Sequence, residues 1–343
     1  MYLERFSMVS AKRDKGFSFE RGILTVDGFI KAEDLWQQLD DSDVDFGRVK
    51  EVVLMNMGGR SIPQIGLEAF YNLEKVTFKS GINNIPGLLF VSEIEYEDDN
   101  GEVKKDSFFK NLREVDCGSV ENINPMAFWG SLIKKLVLHP ENKDYRKIIN
   151  SCPGLVQLKF DDGCVIEKQE LSGAILEHIN SIEFGDNCVV NNENFELLSH
   201  LSRVKFGDNC LIDCSFEACP KLKTVEIGNN CVVKSSFSNT ANIEEIKLAE
   251  SVKFEGMDSF VGKFRVDNDR ERKVCIIDKY GRVIKSFTQS TRDSTYGSKE
   301  WPFPVYLKRL DTVKDSRRNM LGRPIYKDVI RYAIDREKYE KNK

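Results

Sequence analysis

One phrase occurs three times between Ile179 and Val233: IleAsnSerIleGluPheGlyAspAsnCysValVal from 179, LeuSerArgValLysPheGlyAspAsnCysLeuIle from 201, and LeuLysThrValGluIleGlyAsnAsnCysValVal from 222. The steps are 22 and 21 residues. Recurrence at such a period marks a solenoid, whose units are each too small to bury a core and are stabilised by stacking on the next. Apolar residues at relative positions 1, 4 and 6 carry the pattern through units that begin at Val49, Leu73, Leu112, Ile133, Leu155, Ile179, Leu201, Leu222 and Ile243. Apart from the step from Leu73 to Leu112, every spacing is 21 to 24 residues. Side chains alternate across a strand, so positions 4 and 6 face a core and position 5 faces away. A short strand and one loose helical turn fit a unit of this length, the second part being anchored by Phe70, Phe128, Phe195, Phe216 and Phe237.

The stretch ValLysGluValValLeu from 49, SerIleProGlnIleGlyLeuGluAlaPhe from 61 and LeuGluLysValThrPhe from 73 resembles the BspA-like leucine-rich repeat family. GlyIleLeuThrValAspGly from 22 is similar to the cap that often precedes such arrays. The resemblance covers about residues 20–262 and implies an α/β solenoid of irregular leucine-rich repeats, with a parallel β-sheet on one face. It also implies a protein-binding scaffold rather than an enzyme. From residue 179 onward AsnCys replaces the usual apolar turn, and the AlaPhe pair of the earlier units is lost.

Three segments follow from this pattern: an N-terminal lead and cap over 1–48, the solenoid over 49–262, and a basic C-terminal cap or small α+β domain over 263–343. PheSerPheGluArgGlyIleLeuThrVal, 17–26, alternates around ArgGly as a hairpin does, and Ile30, Leu35, Trp36 and Leu39 share a helical face. The long step holds 91–107, where Asn100-Gly101 between strand-like flanks predicts a projecting hairpin with a type I′ turn. A further hairpin is expected over 273–287. From Pro324 to about Lys341 the spacing of Ile325, Tyr326, Val329, Ile330, Ala333 and Ile334 predicts a helix.

Hydrophobic content of 41% with 31% charged residues is that of an ordinary globular chain. No apolar run reaches the roughly 20 residues that cross a bilayer, and the N-terminus lacks the apolar stretch of a secretory signal. The expected compartment is the cytoplasm. Nine cysteines, an odd count of which four recur at the repeat period, fit reduced thiols better than a disulfide framework. The net charge of -4 conceals a division. Residues 263–343 carry 22 Lys plus Arg against 12 Asp plus Glu, leaving 29 against 43 for residues 1–262.

The sequence supplies no catalytic constellation. It contains no phosphate-cradling Gly-rich loop, GlyXaaSerXaaGly elbow or HisGluXaaXaaHis pair. Cys210, Cys214 and Cys219 lie close together, but no paired knuckle or adjacent His completes a zinc set, and His139, His178 and His200 fall in unrelated segments. No cofactor or metal is expected. Cys164, Cys188, Cys210 and Cys231 share position 10 and read as a column of small buried side chains. Asn187, Asn209 and Asn230 before them read as a polar ladder serving the turn backbone.

Position 5 is where a partner would be met. That column runs Lys159, Glu183, Lys205, Glu226, Lys247, alternating in sign on five successive strands, and position 3 begins Glu51, Lys75, Glu114, Lys135. With parallel strands about 4.8 Å apart, each charge can meet opposite charges on both sides. A phosphate backbone wants a track of one sign, so the face suits a protein partner better than nucleic acid. The alternative nucleic-acid reading rests on Lys308, Arg309, Lys314, Arg317, Arg318 and Arg323, with Tyr306 and Tyr326 at the margins.

Overall fold

The computed structural model describes residues 16–58, 66–97, 100–167, 171, 176–191, 195–216, 219–234, 245–249, 252–254, 271–277, 283–288, 299–300, 305–313 and 326–334. Ala32, residues 245–248, Phe254 and the strands from 271 on are described by backbone alone. The architecture is a mostly-β parallel solenoid of about eight turns with few helices. The chain divides into two compact units, one holding most of residues 16–133 and the other most of the remainder.

The first unit opens on an antiparallel hairpin of β1 (Phe17–Glu20) and β2 (Ile23–Asp27). Arg21 and Gly22, at φ +50° and +86°, give it the two left-handed residues of a type I′ turn. The helix α1 (Ala32–Asp40) follows, burying Leu35 and Leu39. The repeat strands β3 (Glu51–Met55) and β4 (Lys75–Phe78) stack in parallel on β2. After the two-residue β5 (Asn84–Ile85), the long step projects as an antiparallel hairpin of β6 (Glu93–Glu97) and β7 (Val103–Ser107). Glu97 lies opposite Val103 at the end of this pairing, and Gly101 in the connection stands at φ +76°; residues 98 and 99 lie outside the described residues. The repeat resumes with β8 (Glu114–Asp116), parallel to β4, and β9 (Asn122–Ile123), parallel to β5.

The second unit repeats this plan with better regularity. Its main strands are β10 (Lys135–Leu138), then, after α2 (Tyr145–Asn150), β11 (Gln157–Phe160), with the short β12 (Val165–Ile166) following. β13 (Ser181–Phe184), β15 (Arg203–Phe206), β17 (Thr224–Ile227) and β19 (Glu245–Leu248) continue the main sheet. They alternate in the chain with β14 (Val189–Val190), β16 (Leu211–Ile212), β18 (Val232–Val233) and β20 (Lys253–Phe254), which form a second parallel sheet with β12. This second strand was not expected. It follows from a β-branched or Leu-Ile pair placed just after a left-handed turn residue, where the chain is already extended.

The predicted anchors hold. Val49, Leu73, Leu112, Ile133, Leu155, Ile179, Leu201 and Leu222 are all at most 3% exposed; Ile243 and Phe237 lie outside the described residues. Position 6 adds an aromatic column in which Phe160, Phe184 and Phe206 stack at 5.2 and 4.8 Å, with Phe195 and Phe216 stacked beside them at 5.1 Å. Offset stacks of this kind add about 0.5–1.5 kcal/mol per pair beyond the area buried. They also fix the vertical register of the units.

Beyond β20 come β21 (Glu271–Ile277), β22 (Val283–Thr288), β23 (Lys299–Glu300), β24 (Val305–Val313) and β25 (Tyr326–Ile334). β24 runs antiparallel to β19 and to β25, and β21 pairs with both β25 and β22. The helix expected after Pro324 is therefore corrected to a strand over Tyr326–Ile334. Tyr, Val and Ile suit both readings of this segment, and a strand can bond to β24 and β21 together, which a helix cannot. The described part of the C-terminal extension is strand throughout.

Candidate interaction face

The column of alternating charge is set by the strand register. Lys159 lies opposite Glu183, Glu183 opposite Lys205, Lys205 opposite Glu226, and Glu226 opposite Lys247. Since Leu158, Phe160 and their equivalents point into the core, position 5 is left outside by the pleat. Lys205 donates to Glu183 at 2.8 Å, each side chain being 40% exposed. Glu226 accepts from Arg203 at 2.7 Å, so the anticipated straight ladder has a diagonal rung. Lys159 also reaches Asp161, just past the end of its own strand, at 3.0 Å. Lys247 occupies the expected strand position, and its backbone register continues to Tyr306 on β24.

Burial raises the Glu183 carboxyl, but the Lys205 hydrogen bond and the charges of Lys205, Lys159 and Arg203 outweigh it, leaving the group below its ordinary value. Glu183 is thus ionised and internally neutralised. In the first unit Lys75 sits between Glu51 at 3.1 Å and Glu114 at 3.9 Å, the β4–β8 pairing keeping the adjacency across the long step. A shallow hollow of about 640 Å³ opens beside this triplet, lined also by Arg21, Lys50 and Arg113. Lys50 bonds Glu74 at 2.9 Å. Both faces are mosaics, with carboxylates and cations interleaved at single-strand spacing.

Below the charged face lies the AsnCys turn. Cys164, Cys188, Cys210 and Cys231 are at most 1% exposed and free. Their thiols donate to carbonyls of the preceding turn, Cys188 to Asp161 at 3.3 Å, Cys210 to Gly185 at 3.2 Å and Cys231 to Gly207 at 3.1 Å. Burial pushes the Cys164 thiol up to about 12. The Cys231 thiol is instead drawn below its ordinary value by its hydrogen bond with Cys210, which outweighs burial; all four side chains pack as small buried groups. Among the described residues, no three His, Cys, Asp or Glu side chains are placed to hold a metal ion.

The Asn reading holds in part: Asn230 donates to the Asn209 Oδ1 at 3.2 Å, a rung of a side-chain ladder, but the turn amides are served by other residues. Asn187, Asn209 and Asn230 stand at φ +56° to +58°, the left-handed region that Asn tolerates, and Gly163 fills the same position at φ +76°. The side chains that serve the turn backbone are aspartates. Asp162 accepts from the Asp186 amide at 2.8 Å, Asp186 from that of Asp208 at 2.7 Å, and Asp208 from that of Asn229 at 2.6 Å. A Cβ at Gly185, Gly207 or Gly228 would lie 2.3–2.4 Å from these carboxylate oxygens, so the GlyAsp pair is one device. Its signal was present as the GlyAsp of the phrase, one residue before the Asn that drew attention.

Of the alternative basic patch, Lys308 and Arg309 occupy successive positions of β24, Lys308 opposite Glu245. Lys314, Arg317, Arg318 and Arg323 lie outside the described residues. Among the described residues no helix is long and apolar enough to cross a membrane. A family model described as BspA type leucine rich repeat region matches residues 58–156 and 151–266, with six copies. No curated protein matches the chain.

Proposed function

The chain belongs to the BspA type leucine-rich repeat family, a repeat scaffold commonly used for protein–protein interaction, and from that premise we propose that it is a non-enzymatic scaffold whose partner is another protein. The partner docks on the face bearing Lys159, Glu183, Lys205, Glu226 and Lys247. One observation carries this reading: charges of alternating sign held in unbroken strand register over β11, β13, β15, β17 and β19. Opposed charges at fixed spacing select register and partner more than they add raw affinity. Residues 1–48 and 263–343 act in this reading as the caps that a solenoid needs at its ends, supported by the pairing of β2 with β3 and of β24 with β19. The buried free thiols fit a reducing compartment such as the cytoplasm.

The test places a photocrosslinking residue at Lys205 in the full chain, identifies the captured protein from the native host, and then measures its binding in purified form. Joint reversal of Glu183→Lys and Glu226→Lys is expected to weaken that binding at least about tenfold. Unchanged affinity would remove this face from the interface. The second reading, nucleic acid held by the basic C-terminal region, is favoured by the charge excess of residues 263–343. It requires DNA or RNA affinity that falls steeply with salt, and no binding at low salt would end it.

A further inference from the structure

The hairpin of β6 and β7 is built unlike the rest of the described chain. All ten strand residues are exposed, among them Ile94 at 49%, Tyr96 at 43% and Val103 at 63%. A two-stranded hairpin with no third strand or covering helix is marginally stable in water. Among the described residues no other strand pairs with either of its edges.

The register says what those edges offer. Ser92 and Phe108 are a bonded pair, the Phe108 amide donating to the Ser92 carbonyl at 2.8 Å. Bonded and non-bonded pairs alternate in an antiparallel ladder, so Ile94 and Tyr96 turn their backbone groups inward to β7. The N–H and C=O groups of Glu93, Glu95 and Glu97 therefore point outward. The same three residues share one side-chain face, where Lys105 pairs with Glu95 at 2.6 Å. Ile94 and Tyr96 share the other face with Lys104 and Asp106. The edge combines unspent backbone bonds with a row of carboxylates.

From this geometry we infer that the outer edge of β6 receives an extended basic segment of a partner protein as a third strand. Residues of the incoming strand opposite Glu93, Glu95 and Glu97 are Lys or Arg, and those between them, opposite Ile94 and Tyr96, are apolar or aromatic. Pairing of this edge with its own copy is disfavoured, because antiparallel β6–β6 contact would set Glu against Glu. The surface is separate from the repeat face, and its test does not depend on that reading.

Three labelled synthetic peptides are titrated into the full-length protein at one fixed salt concentration: alternating Lys and Val, the same composition in blocks, and the alternating peptide N-methylated at every backbone amide. The alternating peptide is expected to bind at least about tenfold more tightly than either control. Equal binding of the N-methylated peptide, or no binding of the alternating one, overturns strand addition. Two variants sharpen the result. Glu95→Gln removes a charge, whereas Glu95→Pro removes the same charge and one outward N–H without taking a donor from the β6–β7 ladder. The Pro variant is expected to bind about tenfold more weakly than the Gln variant, with amide exchange confirming that the hairpin persists in both. Indistinguishable variants with an intact hairpin overturn the edge assignment; if Pro unfolds the hairpin, the N-methyl comparison on the unaltered protein still decides. Reversal of all three glutamates to Lys is expected to transfer preference to an alternating Glu and Val peptide, and failure to transfer it overturns the charge rule.

Discussion

Along β11 to β17, Glu183 is met by Lys205 and Glu226 by Arg203, while each strand has a bonded neighbour on both sides. Along β6, three glutamates stand over outward backbone groups, with Lys105 bonded to Glu95 and also attracted by Glu93. Similar residue types are used in both places. The difference is saturation: stacking repeats consumes the hydrogen-bonding capacity of every inner strand, whereas an insertion leaves the array and keeps its edges. A solenoid can thus present a stable patterned surface and a reactive edge from one sheet-forming chemistry. The repeat face offers a partner shape and charge, and the hairpin offers backbone bonds as well.

The comparison breaks first at the core. Phe184→Ala removes the middle ring of the Phe160–Phe184–Phe206 stack and is expected to cost about 3–5 kcal/mol. Urea denaturation followed by circular dichroism would show the fall in midpoint. The GlyAsp device comes next. Asp186→Ala takes the protein acceptor from the Asp208 amide at an exposed turn and should cost about 0.5–1 kcal/mol. Asp186→Asn keeps an acceptor, Asn being the residue at the equivalent position 229 of the last copy, and should lie within about 0.5 kcal/mol of the parent in the same assay.

A smaller effect is carried by pH. Glu183 titrates below its ordinary value in the folded chain, so the unfolded chain binds the proton more readily. Its contribution is complete above the ordinary value of 4.5 and is lost as pH falls through the lower folded value. Glu183→Gln should flatten the acid limb of the stability profile, and an unchanged limb would show that solvent has screened the pair. The hairpin gives the smallest response. Ile94→Ala, at an exposed position outside any core, should change stability by no more than about 0.5 kcal/mol, measured beside Phe184→Ala. A larger loss would mean that the hairpin is packed in solution.

The repeat face was legible before the structure because a parallel solenoid converts sequence spacing directly into strand register. Once Glu183, Lys205 and Glu226 share position 5, stacking can only place them side by side. The diagonal bond from Arg203 was not legible, since a long side chain at position 3 reaches past its own row. Service of the turn amides passed from Asn to Asp for a similar reason, although Asn230 and Asn209 still bond to each other. Both residue types recur, and only the turn geometry shows that Asn187, Asn209 and Asn230 supply backbone conformation while Asp162, Asp186 and Asp208 supply acceptors. The strand over Tyr326–Ile334 went unread because its apolar residues satisfy a helical period as well as an alternating one.

Sequence alone determined that this chain stacks, which residues line its core and which charges share a row, because these follow from period and alternation. Tertiary structure decided which hydrogen bonds close the rows, which segment after the repeats becomes strand, and which backbone groups of β6 remain outward. Those outcomes depend on neighbours distant in the chain, whose approach no local spacing encodes.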